Sequence, residues 1–326
     1  MTLVIIVVGL ALAFDFLNGF HDAANAIATI VITRTLTPLQ AVILAGCSNF
    51  VGYFVFGVAI AKTIGKEIIN IHHVSVLLIL AALLGAIAWN IATWLLGLPT
   101  SSSHALLGGL TGSAVAAVGW KIVHVNGILK IMAFIIIAPL LGMLGALIFT
   151  TLIMWLSRNT RPDKANVVFK YLQLVSATFY SISHGTNDAQ KTMGIIAMTL
   201  FSAHLSNSFH LSGWIVFSCY TAISCGTMFG GWRIVRTMGT KISKIRPMEG
   251  FCAESSSALV LIGTALAGIP VSTTHVIAGA IMGVGSADYV GKVRWAMARK
   301  ILWAWLLTVP ITAILAATFY KILSLF

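Results

Sequence analysis

Long apolar segments separated by short polar loops run through the whole chain. Ten segments can be delimited, and most are about 20 residues long, the length of helix that crosses the hydrocarbon core of a membrane. This pattern predicts an all-α polytopic membrane protein whose 326 residues form a single transmembrane domain. The segments span residues 2–32, 38–61, 74–97, 101–119, 127–156, 167–201, 211–231, 251–268, 271–287 and 301–323.

Four short polar stretches interrupt this pattern. Residues 18–22 (Asn-Gly-Phe-His-Asp) lie inside the first segment and residues 184–188 (His-Gly-Thr-Asn-Asp) inside the sixth. Because lipid cannot solvate exposed polar groups, we expect both of these helices to be broken within the membrane. The other two stretches, residues 99–104 and 270–275, begin with proline and predict the tips of two helical hairpins.

Composition supports a chain that is solvated by lipid. Apolar residues make up 59% of the sequence and charged residues 9%, against about 25% charged in an average soluble domain. The net charge of +12 is not gathered into a basic stripe with interleaved aromatic residues, so nucleic acid is not expected as a partner. The four cysteines lack CxxC spacing, and neither a disulfide framework nor a zinc site is predicted.

The loop cations predict an orientation in the membrane. If the N-terminus is outside and each hairpin returns to its starting side, fourteen of the 20 Lys and Arg residues fall in inside loops. Such a bias is expected for cytoplasmic loops, so both termini are predicted outside, in the plasma or inner membrane. Residues 2–17 lack a basic region before them and are read as a retained helix, not a signal peptide. The outside cations are Lys62, Lys66, Lys121, Lys130 and Lys321.

The chain contains two related copies of one pattern. They cover residues 1–156 and 167–326 approximately, with a short basic connector at 157–166. Each copy has an odd number of crossings, which predicts two inverted-topology repeats, an arrangement typical of transporters. The matched pairs are Gly19 and Gly185, Asp22 and Asp188, Pro99 and Pro270, Ser101 and Ser272, His104 and His275, Gly108 and Gly279, and Gly112 and Gly283.

The two hairpin tips predict an anion site. Each tip starts a helix just after a proline, where unpaired N–H groups and the helix dipole favour negative charge. Hydroxyl residues at these positions can also simply cap their own helices, but three in a row at both tips exceed that need. The predicted oxyanion-binding residues are Ser101, Ser102, Ser103, Ser272, Thr273 and Thr274, with Asn187 and Lys191 from the sixth segment.

Acidic residues inside apolar segments predict a cation or proton pathway, because a carboxylate in a bilayer is costly and is usually functional. Asp22 and Asp188 lie in the two interrupted helices, and Glu254 lies in the first arm of the second hairpin. Nearby backbone carbonyls and amides offer the oxygen ligands that small cations need. No metal is assigned with certainty, although the two aspartates are candidate cation ligands. The predicted coupling residues are Asn18, His21, Asp22, Asn25, Asp188 and Glu254.

Two motifs resemble those of a known family. Residues 19–26 (Gly-Phe-His-Asp-Ala-Ala-Asn-Ala) and 184–191 (His-Gly-Thr-Asn-Asp-Ala-Gln-Lys), with the two proline-led tips, resemble the PiT family of inorganic phosphate transporters over nearly the whole chain. The resemblance implies a secondary transporter, typically homodimeric, that carries phosphate with sodium in animal members. Many bacterial members use protons and often carry a neutral metal–phosphate complex. Phosphate is implied by the resemblance, whereas the residues alone imply an oxyanion.

Two departures from the family pattern bear on the coupling ion. The sodium-coupled animal proteins carry an Asp-Val-Ala/Ser-Asn pattern in both repeats, whereas here Lys191 stands opposite Asn25. Asn49 stands where the animal members have a glutamate, while Glu254 matches the family. A lysine in place of a bound cation would help to neutralise the substrate and repel a second cation, which favours proton coupling.

The sequence alone leaves other functions open. A permease for sulfate or another oxyanion would use the same helix N-termini and hydroxyls. An intramembrane enzyme could use buried aspartate or histidine as a base, and a passive anion channel could use the same anion site. Neither an enzyme nor a channel explains the duplicated acids, so we expect alternating-access transport of phosphate with protons or sodium. No cofactor is expected; a divalent metal as co-substrate and bound membrane lipid stay open.

Overall fold

Eleven helices form the part of the chain that the computed structural model describes, which is residues 1–55, 60–61, 69–206 and 209–326. No strand occurs within those ranges. The helices are α1 (Thr2–Ile32), α2 (Pro38–Val55), α3 (Val76–Leu96), α4 (Ser102–Val118), α5 (Val125–Ser157), α6 (Pro162–Ser202), α7 (Gly213–Phe229), α8 (Trp232–Arg236), α9 (Pro247–Leu266), α10 (Thr273–Asp288) and α11 (Trp295–Leu323).

The predicted all-α class is confirmed, and each of the ten predicted segments corresponds to one helix. Residues 56–59 of the second segment lie outside the described residues, and so do Lys62 and Lys66, which follow the segment. The additional helix is α8, which continues into a turn of π-helix at Thr237–Lys241 within a predicted basic loop. Four of the described helices, α1, α3, α5 and α11, are long and apolar enough to cross a membrane.

The predicted breaks in the first and sixth segments are not found, because α1 and α6 are continuous helices through residues 18–22 and 184–188. Their polar side chains are buried against other helices and are not exposed to lipid, so the backbone does not have to open. The glycines allow helices to approach closely. A Cβ added at Gly19 would lie 2.1 Å from the carbonyl oxygen of Ile223, and one at Gly185 would lie 2.7 Å from Cα of Asn49.

Both predicted hairpins are present, α3 with α4 and α9 with α10. Gly97 and Gly268, just beyond the ends of α3 and α9, have φ angles of 64° and 66°, which glycine adopts without steric cost. The second arm of each hairpin begins after an extended serine, Ser101 or Ser272, which caps its helix. The two tips are therefore built in the same way from corresponding residues.

Helices of the two halves of the chain pack against each other in corresponding pairs. Helix α4 packs on α11 of the second half, and α10 packs on α5 of the first. Small residues permit these contacts, since a Cβ added at Gly112 would lie 2.0 Å from the carbonyl oxygen of Ala313, and one at Gly283 would lie 2.2 Å from that of Met143. Each hairpin is thus held in place by the last long helix of the other half.

Helices α1 and α6 lie against each other in antiparallel directions. Thr192, late in α6, donates a hydrogen bond to Asp15, which is in the first half of α1. Thr33, just after α1, donates to Gln173 near the start of α6 at 2.8 Å. The seam between these two helices carries the buried polar residues on which the candidate site depends.

An ion cluster around the buried carboxylate of Glu249 fixes the base of the second hairpin. The side chain of Glu249 accepts hydrogen bonds from Lys292 at 2.7 Å and from the guanidinium of Arg246 at 2.8 Å. Burial lowers the pKa of Lys292, but hydrogen bonds to Asp288 and Glu249 outweigh burial and raise that pKa above its ordinary value. Lys292 is therefore a permanent cation at neutral pH and ties α9 to the segment that follows α10.

Substitution of the contact glycines tests this packing. Gly112→Ala or Gly283→Ala places a methyl group against backbone atoms of the facing helix, which cannot move away without shifting that helix. We therefore expect a lower melting temperature, with a loss of roughly 1–3 kcal/mol of stability. Gly263→Ala is the matched control, because no atom lies within 4 Å of its added Cβ and alanine favours the helix. Thermal unfolding in detergent measures all three, and equal melting temperatures would contradict the packing.

Candidate functional site

Two aspartates meet at the centre of the α1–α6 seam. Asp22 of α1 and Asp188 of α6 are 2% and 0% exposed. The Nδ1 atom of His21 lies 2.9 Å from Oδ1 of Asp22, and Nε2 of His184 lies 3.4 Å from Oδ2 of Asp188. A histidine therefore lies beside each aspartate. A positive charge on that histidine ring would stabilise the ionised carboxylate.

The tip of the second hairpin supplies hydroxyl donors to both aspartates. The hydroxyl of Thr273 lies 3.4 Å from Oδ2 of Asp22 and 3.2 Å from Oδ2 of Asp188. Thr274 donates to Oδ2 of Asp22 at 3.3 Å, and its hydroxyl accepts a hydrogen bond from the amide of Asn25 at 2.9 Å. One tip of the second half thus joins the acids of both halves.

The tip of the first hairpin reaches the same place from the other side. Ser102 donates to Oδ1 of Asn18 and lies 3.4 Å from Oδ2 of Asp22. Ser103 accepts a hydrogen bond from the ammonium of Lys191. Hydroxyls of both tips and carboxylates of both long helices therefore converge on one buried polar centre.

Lys191 is the cation of this centre. Its ammonium pairs with Asp188, donates to Ser103 and also donates to the carbonyl oxygen of Val271 at 3.0 Å. The residue is 1% exposed, so the side chain does not extend to the membrane surface. A lysine at this position joins α6 to both hairpin tips.

The two aspartates also form a cluster that could hold a cation. Ligand atoms of Asp22, His184 and Asp188 lie within 4.8 Å of one another. The side-chain oxygen of Asn25 is buried and has no hydrogen-bond partner among the described residues. Carboxylate and amide oxygens suit small hard cations, so the residues fit a cation of that class. His184 was not in the predicted set, and Asn49 orients its ring, with Oδ1 3.3 Å from Nδ1.

Three of the predicted anion ligands make other contacts. The hydroxyl oxygens of Ser101 and Ser272 each accept a hydrogen bond at 3.2 Å from a backbone N–H of their own helix, that of His104 or His275. The capping role thus holds for one hydroxyl of each tip. The amide of Asn187 donates to carbonyl oxygens of Ser183 and Leu261, so it links α6 to α9.

Glu254 forms a separate polar group at the other end of the seam. Its carboxylate accepts hydrogen bonds from Thr29 at 2.5 Å, from Gln173 at 3.1 Å and from Ser176. Thr29 lies seven residues after Asp22 on α1, which is about 10 Å along the helix. Glu254 therefore does not share ligands with the two aspartates.

Sequence reasoning missed Asp15, although the argument used for acids in apolar segments applies to it. Asp15 lies in α1, is fully buried and accepts a hydrogen bond from Thr192 at 2.9 Å. The described part of the α1–α6 seam and the adjoining α9 thus holds the carboxylates of Asp15, Asp22, Asp188 and Glu254 with the single ammonium of Lys191. Such an excess of buried negative charge is unfavourable unless protons or cations neutralise it.

Comparison with known proteins identifies the family. Residues 18–316 match the sequence profile of the phosphate transporter family. The chain belongs to this family. The predicted resemblance to inorganic phosphate transporters is confirmed, and since the family and the relatives below are transporters, an intramembrane enzyme is excluded.

The relatives are similar over their full lengths. A Rhizobium meliloti protein named "Probable low-affinity inorganic phosphate transporter" is 50% identical over 96% of this chain and 94% of its own length. A Bacillus subtilis protein of the same name is 44% identical over 100% of this chain and 98% of its own. A solved structure named "The sodium-dependent phosphate transporter" matches with a TM-score of 0.89 and 27% identity, covering 100% of both chains. This chain is therefore a membrane protein with a transporter fold.

The pairing of Lys191 with Asp188 can be tested by a double-mutant cycle. Lys191→Met or Asp188→Asn leaves the partner charge buried and unpaired, which costs about 3–5 kcal/mol. We expect each single variant to melt several degrees lower and the double variant to recover most of the loss. Lys300→Met, at an exposed position of α11, is the control. Thermal unfolding in detergent measures the cycle, and additive losses would contradict the pairing.

Proposed function

We propose that this protein is a secondary active transporter that carries inorganic phosphate across the cell membrane, coupled to protons or sodium, by alternating access. The observation that carries the proposal is the convergence of two helix tips, one from each half of the chain, on a buried pair of aspartates. Membership of the phosphate transporter family supports phosphate as the substrate. The name of the solved relative supports a co-transported ion.

The two halves are proposed to be inverted repeats, residues 1–156 and 167–326, joined by the connector at 157–166. Two observations support this. The corresponding helices α1 and α6 are antiparallel along their seam, and the hairpin of each half packs on the last long helix of the other. Inverted halves allow the same site to open to either side by a rocking motion. With an even total number of crossings both termini lie on the same side, and the distribution of loop cations favours the outside. The proposed assembly is a homodimer in contact with lipid.

Coupling follows from a competition for hydrogen-bond donors. Hydroxyls of Ser102, Thr273 and Thr274 lie against the aspartates, and the same hydroxyls are the donors that phosphate oxygens require. When protons or cations neutralise Asp22 and Asp188, these hydroxyls and the helix N-termini become available to phosphate. Glu254 is proposed to load a further proton or cation. Phosphate and the coupling ions then bind together, because each removes an electrostatic cost of the other.

Lys191 contributes an ammonium group to the second half of the site. Its ammonium already contacts both tips, so it lies where a bound phosphate would meet them. Sulfate has a similar shape and is the nearest alternative substrate. Sulfate has no proton to donate at neutral pH, whereas phosphate has one. An oxygen of Asp22 that stays a hydrogen-bond acceptor after a proton or cation neutralises the carboxylate would therefore favour protonated phosphate over sulfate.

Uptake into proteoliposomes tests the function. The assay measures accumulation of radiolabelled phosphate while pH, sodium and magnesium are varied independently. Phosphate should accumulate only when an inward proton or sodium gradient is present. Excess unlabelled sulfate should compete at least tenfold less well than phosphate. Accumulation without any ion gradient, or stronger competition by sulfate, would contradict the proposal.

Two variants connect this assay to the site. Asp22→Asn removes a carboxylate at the centre, and we expect uptake to fall at least 100-fold because a coupling-ion site is lost. Asp163→Asn removes an exposed carboxylate in the first turn of α6, and uptake should be unchanged. Equal uptake by both variants would show that Asp22 has no part in transport.

A further inference from the structure

Asp15 is a buried acid to which the proposed transport cycle assigns no role. It lies in α1 with 0% exposure, and one of its oxygens accepts a hydrogen bond from Thr192 at 2.9 Å. Its Oδ2 atom is also buried and has no hydrogen-bond partner among the described residues. A carboxylate whose oxygen is buried without a partner is costly when ionised. The unpaired oxygen of Asp15 therefore indicates that a ligand binds there during the function of the protein.

Asp15 belongs to a polar stripe that leads to the centre of the site. Asp15, Asn18, Asp22, Asn25 and Thr29 follow one another at alternating intervals of three and four residues, which places them on one face of α1. All five side chains are buried. Asp15 is two helical turns from Asp22, about 10 Å along the axis. Its partner Thr192 directly follows Lys191 on α6, and the charges of Lys191 and Asp188 act on Asp15 electrostatically.

Among the residues that the structure describes, no cation forms an ion pair or hydrogen bond with Asp15. Lys191 and Asp188 lie within electrostatic range of Asp15, but the hydrogen bonds of the Lys191 ammonium go to Asp188, Ser103 and Val271. On the same side of the seam, α7 contributes Cys219 and Tyr220 within electrostatic range of Asp15, and neither is a cation. Helix α3 contains no titratable side chain, and those of α2 are Cys47 and Tyr53. The groups that face Asp15 in the described part of the chain are therefore negative, neutral or already paired.

A proton fits this place better than a metal ion. Hard cations are held by about six or more oxygen ligands, and the hydroxyl of Thr192 is the one described side-chain oxygen that hydrogen-bonds to Asp15. A proton needs one oxygen. Because the Thr192 hydroxyl donates to Oδ1, the free Oδ2 atom is the place where a proton would bind.

We propose that Asp15 carries one of the coupling protons, binding it on Oδ2 on the N-terminal side of the phosphate site, with Thr192 as its positioning residue. This inference rests on the proposed transport function. Protonation of Asp15 removes one negative charge close to Asp188 and Lys191 before phosphate binds. Deprotonation after phosphate has left restores the charge and resets the site. The proton balance is one proton bound and one released per cycle at this carboxyl group.

Three variants test the role of Asp15 in proteoliposomes. Asp15→Asn is permanently neutral, so we expect it to retain phosphate–phosphate exchange at equal pH but to lose the stimulation of net uptake by an acidic outside pH. Protons carried per phosphate, measured with an internal pH dye, should fall by one. Thr192→Val removes the hydroxyl that stabilises the ionised carboxylate, so the midpoint of the pH profile should move about 1 pH unit higher. Asp163→Asn is the exposed-acid control.

Several outcomes would overturn the proposal. A wild-type proton ratio and pH profile in Asp15→Asn would show that Asp15 carries no coupling proton, as would sodium-driven wild-type uptake that is independent of pH. Loss of exchange as well as net uptake in folded Asp15→Asn would show a role in substrate binding. If Asp15→Asn does not fold, the test is the pH profile of Thr192→Val: an upward shift of its midpoint supports the proposal, and an unchanged midpoint contradicts it. Absence of any phosphate uptake by the wild-type protein would instead refute the proposed function.

Discussion

A carboxylate inside a membrane must be paired, hydrogen-bonded or neutralised, and this protein buries several of them along one seam. Asp188 is paired with Lys191, whereas Asp22 depends on hydroxyls brought by both hairpin tips. Because those donors come from distant parts of the sequence, the acids can be buried only when the two halves are packed together. The polar site can therefore form only in the assembled fold, and the assembled fold is stable only when the polar site is complete.

The packing that meets this requirement is made by small residues. Gly112 and Gly283 let the second arm of each hairpin lie directly on backbone of the opposite half, which fixes both tips against α1 and α6. The hydroxyls at these tips can donate to a carboxylate or to an oxyanion but not fully to both. Binding of coupling ions and binding of phosphate are linked through that shared set of donors.

Much of this arrangement could be predicted from sequence, because apolar length, proline-led tips and duplicated motifs are local signals. Features that depend on tertiary partners could not. The polar stretches of α1 and α6 indicated broken helices, yet the helices are continuous because the hairpin tips and the neighbouring helices provide partners for their side chains. The capping roles of Ser101 and Ser272 depend on the exact start of each helix. Asp15 was predictable, because it is an acid between two phenylalanines in an apolar run, but its unpaired oxygen is visible only in the structure.

The central claim is that phosphate binds only when the buried carboxylates are neutralised. Titration of phosphate into the purified protein in weakly buffered solution, with and without sodium, measures this directly through the protons taken up on binding. The account predicts proton uptake on phosphate binding, or binding that requires sodium, and loss of this linkage in Asp22→Asn. Phosphate binding that takes up no protons and is unaffected by sodium would contradict the account.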